Sequence, residues 1–131
     1  MEIFENMYYG IGKVALAIAK ADGEISKNEI DQLKQKVSSF AQHQGVDLSL
    51  VDITFSHFKR YESISVKSLL EQGIHDFHLG DDHLTPKLAG AFKELLISIA
   101  RAQPPITMKE DLVLTSFLVY LDKRQLARTS N

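Results

Sequence analysis

Apolar residues recur at steps of three and four along almost the whole chain, the spacing of a buried helical stripe. Ile3, Phe4, Met7, Ile11, Val14, Ala15 and Ile18 mark a first amphipathic helix. It stops at Asp22–Gly23, where glycine tolerates a left-handed backbone. Ser26, three residues before Glu29, makes a capping box: the hydroxyl accepts from a first-turn N–H and the carboxylate reaches back. A second helix comes next, with Ile30, Leu33, Val37 and Phe40 inward, and fades before Gly45. The pattern predicts a third from about Asp47 to Arg60 on Leu48, Val51, Phe55 and Phe58. A fourth runs from about Ser65 to Leu79 on Val66, Leu69, Leu70, Ile74 and Phe77. Gly80, Asp81 and Asp82 form the next break, and Thr85–Pro86 starts a fifth helix, because proline at the first helical position gives up no needed N–H. Leu88, Phe92, Leu95, Leu96 and Ile99 form its stripe, and Pro104 and Pro105 end it. Thr107 and Glu110 make a second capping box, opening a sixth helix through Leu114, Leu118 and Leu121. Residues 127–131 are expected to fray. No strand pattern survives, so the expected fold is all-α, six to seven helices in a single bundle.

The chain also resembles itself. With Ile25 set against Ile106, Ile18 meets Ile99, Ala19 meets Ala100, Lys20 meets Arg101 and Ala21 meets Ala102. Beyond the loop Ser26 meets Thr107, Glu29 meets Glu110, Leu33 meets Leu114 and Val37 meets Leu118. Caps fall on caps and core positions on core positions. General capping rules alone would not match the alanines or the basic residue before each loop. Two copies are too few for a solenoid, so the expectation is one domain over 1–131. A helix–loop–helix hairpin at about 1–42 would pair with its copy at about 85–126, with helices at about 47–80 between them.

Composition narrows the function classes. The chain has 131 residues, 44% of them hydrophobic and 24% charged, which suits one globular domain with a real core. There is no cysteine, which removes disulfides, thiolate zinc sites and Cys nucleophiles and fits a reducing cytoplasm. A net charge of −2 provides no field toward nucleic acid or anionic lipid. Lys123, Arg124 and Arg128, the densest basic stretch, read as a solvated helix face. The N-terminus opens with acid and has no clean apolar run, Lys13 and Lys20 interrupting the nearest one. Neither a signal peptide nor membrane insertion is expected.

The run Ala19-Lys20-Ala21-Asp22-Gly23-Glu24-Ile25-Ser26 with Glu29 resembles the signature of the TerB-like tellurite-resistance domains, a superfamily that includes the amino-terminal region of DjlA-type membrane co-chaperones. The likeness spans most of the chain, with a degenerate second signature near the C-terminus. It implies a compact, helical, usually bacterial domain tied to tellurite and other stresses, with no established catalysis. It also implies a metal site where the acidic residues of the two signatures converge. By position that site would use Asp22 and Glu29 from the first copy and Glu110 from the second, but the second Asp position is Gln103 and Gly-Glu has become Pro104-Pro105. An amide in place of an anion weakens a site for a hard cation. Capping alone is a sufficient role for Glu29 and Glu110, and it is the role preferred for them.

Other constellations carry less. Asp22-Gly23-Glu24-Ile25 with Glu29 matches the back half of an EF-hand loop, yet the front ligand positions would be Ile18 and Lys20, which offer no side-chain oxygen. The stretch IHDFHLGDDH concentrates His75, Asp76, His78, Asp81, Asp82 and His83. His75, His78, Asp81, Asp82 and His83 form an alternative metal cluster. The plainer reading is a polar helix edge whose Asp81 or Asp82 helps cap the next helix. Gly10-x-Gly12 lacks the strand of a phosphate loop and suits close helix packing. Tyr8, Tyr9 and Tyr61 read as core-edge aromatics. No nucleophile–base set is recognisable. The expectation is a non-enzymatic interaction module with a protein partner, no nucleic acid and no cofactor, and a homodimer is compatible with it. The alternative is a divalent-metal sensor or sequestering domain.

Overall fold

Helix α1 (Glu5–Lys20) is buried on nearly every side. Met7, Ile11, Val14, Leu16, Ala17 and Ile18 are each 1% exposed or less, and Gly10, Gly12 and Lys13 are buried with them. A helix apolar all round belongs in the middle of a bundle, and α1 indeed contacts every other long helix. These are α2 (Lys27–His43), α3 (Val66–Gly80), α4 (Pro86–Ala100) and α5 (Met108–Thr129), with a 3-10 turn at Asp81–His83 between α3 and α4. This computed structural model describes residues 5–21, 23, 25–45, 55, 63–102 and 106–129. Among them the fold is all-helical, with five α-helices and no strand. Of the third helix expected at 47–60 only Phe55 is described; it is helical and buried.

Local rules place the helix ends. Ser26, Ser65 and Thr85 each accept a hydrogen bond from the N–H three residues on (Glu29, Ser68 and Leu88, all 3.1 Å), and Pro86 succeeds Thr85 at the first helical position. Helix α2 closes on Gly45, whose φ of +73° lies in the left-handed region and whose N–H donates to the Gln42 carbonyl. Helix α5 runs on to Thr129, past the point where fraying was expected.

Tertiary packing departs from a simple pairing of the two hairpins. Helix α1 packs most extensively on α3, ahead of α4 and α5. The physical reason is a glycine crossing. A Cβ added at Gly10 would stand 2.4 Å from the Gly73 carbonyl oxygen and 2.6 Å from the Phe77 nitrogen. One added at Gly73 would stand 2.8 Å from Val14 Cγ2 and 3.0 Å from the Gly10 oxygen. Only two bare backbones fit there. A buried ion pair lies one turn away, Lys13 Nζ sitting 2.7 Å from Asp76 Oδ2 and 4.7 Å from the centre of the Tyr9 ring. Phe77 then ties α3 to the rest, edge-on to Phe92 of α4 (5.5 Å) and to Phe117 of α5 (5.3 Å). Such pairs add about 0.5–1.5 kcal/mol beyond area burial.

Candidate functional site

Glu29 and Glu110 face one cavity. Glu29 enters from the first turn of α2 and Glu110 from the first turn of α5, and both line a space of about 60 Å³. Its apolar sides are Ala19 of α1, Leu33 of α2, and Ile99 and Ala102 at the end of α4. Gln32 and Lys36, on α2, complete it.

The two carboxylates differ in what holds them. Glu110 is buried, and its Oε1 accepts from the Thr107 N–H (3.3 Å) and hydroxyl (3.1 Å) while its own N–H donates to Thr107 Oγ1 (3.1 Å). That is the reciprocal capping box in full. At the start of α2 only half of it forms. Ser26 Oγ accepts from the Glu29 N–H, and among the described residues the Glu29 carboxylate makes no return bond. A role in the cap therefore accounts for Glu110 and not for the Glu29 side chain. Lys36 Nζ reaches across to the Ser98 carbonyl at 3.4 Å. The residue pattern did not single out that contact, although Lys36 stands two turns from Glu29 on the same helix.

Asp22 and Gln103, the other members of the acidic set, lie outside the described residues, as do Glu24, Pro104 and Pro105. The His/Asp stretch is dispersed. His75 is exposed on α3, Asp82 and His83 are exposed in the 3-10 turn, and Asp76 faces Lys13. Among the described residues no three of His, Cys, Asp or Glu gather into a metal-holding group. Asp81 and Arg124 correct two further expectations. Asp81 does not cap the next helix, since Thr85 does, and Arg124 is not a solvated charge. Arg124 Nε and Nη2 grip Asp81 Oδ2 and Oδ1 at 2.8 and 3.1 Å. Tyr120 donates its hydroxyl to Oδ2 at 3.0 Å, and His78 Nδ1 lies 3.0 Å from the same oxygen.

This fork geometry fixes the ionisation of the group. Burial alone would raise the Asp81 carboxyl; hydrogen bonds from Arg124, His78 and Tyr120, with the charge of Arg124, outweigh it and hold the carboxyl below the usual range. Burial, reinforced by the Asp81 charge, pushes the Tyr120 hydroxyl well above its ordinary value. Burial also raises Tyr8, whose ring meets Phe92 edge-on at 5.5 Å. Asp81 thus pins α5 to the end of α3, a structural use of charge remote from the cavity.

Comparison with family models, with curated proteins and with solved structures gives no match to this chain. Among the described residues no helix is long and apolar enough to cross a membrane. The cavity's described lining holds no hydroxyl, thiol or imidazole. What it offers is a carboxylate with no hydrogen-bonded partner among those residues, a second buried carboxylate, an amide and an ammonium, against apolar sides. That set suits recognition of a cationic or hydrogen-bonding group.

Proposed function

We propose that the chain is a non-enzymatic interaction module of the tellurite-resistance, stress-response type, a TerB-like bundle of six to seven helices whose duplicated hairpins meet at the Glu29–Glu110 cavity, where a partner protein docks. The observation that carries this reading is that glutamates at matching positions of the two copies line one cavity, and that the Glu29 carboxylate is not used by its own cap. A solvent-reachable acid set against Ala19, Leu33 and Ile99 is the kind of mixed surface that partner side chains fill. The test compares proteins retained from the host by the wild-type chain and by Glu29→Lys. A retained species that the variant loses supports the reading, and identical retention by both counts against it.

A divalent-cation site is the second reading, favoured by the two carboxylates at one cavity. Two features weigh against it: Thr107 already occupies Glu110 Oε1, and the Lys36 ammonium lines the same space. Filling a site at 100 times its dissociation constant stabilises a fold by about 2.7 kcal/mol. Titration with Ca²⁺, Mn²⁺ or Zn²⁺ is expected to leave the melting temperature within about 1–2 °C of its starting value, well short of the shift that such a stabilisation gives a domain of this size; a rise on the larger scale would install the metal reading instead.

A further inference from the structure

Helix α5 has two apolar faces. Val113, Leu114, Phe117 and Leu121 are buried, on a helix that packs against α1, α3 and α4. On the opposite side Met108, Leu112, Val119 and Leu126 are 81, 62, 46 and 68% exposed. At 3.6 residues per turn these four fall within about 40° of one another, a single stripe along a helix that rises about 33 Å. The exposed fractions amount to about 450 Å² of apolar surface, the size at which a patch on a monomer marks an interaction site. A surface helix keeps its apolar residues to the core side, so a second stripe needs a second cover.

We propose that this stripe pairs with the same stripe of a second copy of the chain, the two α5 helices lying antiparallel about a two-fold axis at Val119. Leu112 and Leu126 stand seven residues to either side of Val119. End-over-end rotation about Val119 therefore lays Leu112 of each copy on Leu126 of the other, and Val119 on its own counterpart, the self-complementary contact that a two-fold interface requires. The charges select this direction. A parallel pair would set Lys123 against Lys123, and Asp122, though tied to Lys93 within each copy, against Asp122; like-charge juxtaposition opposes both. In the antiparallel pair Asp122 comes level with the second copy's Ser116 and Lys123 with its Thr115, neither of them charged. Thr115 and Ser116 are short enough to let the helices approach at Val119. Ser116 Oγ already donates to the Leu112 carbonyl at 2.7 Å, so its hydroxyl can leave water without being stranded. Pairing removes about 900 Å² of apolar surface from the two copies together, and with the stems of Lys109 and Lys123 the total passes the roughly 1,000 Å² of a specific interface. An anionic lipid surface fits less well, since Asp111 and Asp122 flank the stripe opposite Lys109 and Lys123. Glu110 points the other way, into the cavity, so pairing leaves that cavity open and does not depend on its occupant.

Sedimentation equilibrium of the full chain across the micromolar range tests the association. A monomer–dimer equilibrium is expected, with a melting temperature that rises with protein concentration. Val119→Glu sets two carboxylates against each other on the axis and is expected to weaken association at least a hundredfold. Ser39→Glu, the same charge on the exposed side of α2, should leave it unchanged. Val119 is exposed in the single chain, so dilute Val119→Glu should melt with the dilute wild type. Direction is read separately. The chain has no cysteine, so an introduced thiol is the only one. On oxidation an equal mixture of Leu112→Cys and Leu126→Cys is expected to give mainly the mixed disulfide dimer, and Leu112→Cys alone little dimer. A chain that stays monomeric throughout, association undiminished by Val119→Glu, or Leu112→Cys linking to itself as readily as to Leu126→Cys would each overturn the proposal.

Discussion

Replacing Gly10 by alanine isolates the contact that holds α1 against α3. The new methyl would lie 2.4 Å from the Gly73 carbonyl oxygen and 2.6 Å from the Phe77 nitrogen. Ordinary contact begins near 3.4 Å, so the helices must part by about 1 Å at the crossing. The atoms in the way are backbone and cannot rotate aside. Overpacking a core costs about 1–3 kcal/mol, and rigid opposition argues for the upper end, because a gap on this scale also forfeits a quarter to a half of neighbouring dispersion contacts. Alanine recovers about 1 kcal/mol of helix propensity, leaving a net loss of about 2 kcal/mol. For a domain of this size that is a fall in melting temperature of about 6–10 °C. Gly90→Ala is the matched control. It is also helical, but exposed, with nothing within 4 Å of its added Cβ, so it is expected to stabilise by about 0.4–1 kcal/mol. Urea unfolding of both variants measures the difference directly. A Gly10→Ala protein as stable as the wild type would refute the close-crossing argument.

The caps and the buried carboxylate give further expected outcomes. Glu110→Ala removes an acceptor bonded twice to Thr107 and is expected to cost about 1 kcal/mol, while Glu29→Ala, whose carboxylate takes no part in its cap, should change unfolding free energy by less than about 0.5 kcal/mol. Equal losses in the two would show that the first cap also closes fully in solution. Asp81→Ala removes a buried carboxylate that accepts from Arg124 and Tyr120, and since the Arg124 left behind reaches solvent it is expected to cost about 1–2 kcal/mol by chemical denaturation. The folded-state Asp81 carboxyl is held low, so its contribution to stability is present above the unfolded carboxylate range and is lost as the pH falls through about 4 and below. Urea midpoints measured from neutral pH down to about pH 2.5, below the unfolded carboxylate range, should therefore drop more steeply in the wild type than in Asp81→Asn. Parallel curves would remove Asp81 from the acid limb.

How much of the fold was legible in the sequence depends on how local each signal is. Helix starts at Ser26, Ser65, Thr85 and Thr107 depend on a side chain and an N–H three residues away, and these were readable because nothing distant enters. The stripe of α1 was legible for the same reason, although its full burial was not. Gly12, Leu16 and Ala17 fall off the apolar stripe, and only the surrounding helices determine that they are buried. The Gly10–Gly73 crossing was half visible. Gly10 could be assigned to close packing, but its partner is far along the chain and carries no side chain to betray it. Arg124 and Asp81 show the opposite failure. Arg124 read as solvated and Asp81 as a cap for the next helix, and their pairing depends on the position of α5 over the end of α3. In the cavity, the convergence of Glu29 and Glu110 could be anticipated from the internal repeat. That only one of them completes its cap depends on side-chain geometry finer than any residue pattern.

On the proposed reading a partner fills the cavity lined by Glu29, Gln32 and Glu110. A photo-reactive amino acid placed at Gln32, on the cavity wall, and separately at Lys87, exposed in the first turn of α4, tests it in the living host. Position 32 is expected to yield a discrete, higher-mass crosslinked protein that position 87 does not produce and that Glu29→Lys abolishes. No adduct at position 32, or the same adducts from both positions, would contradict it.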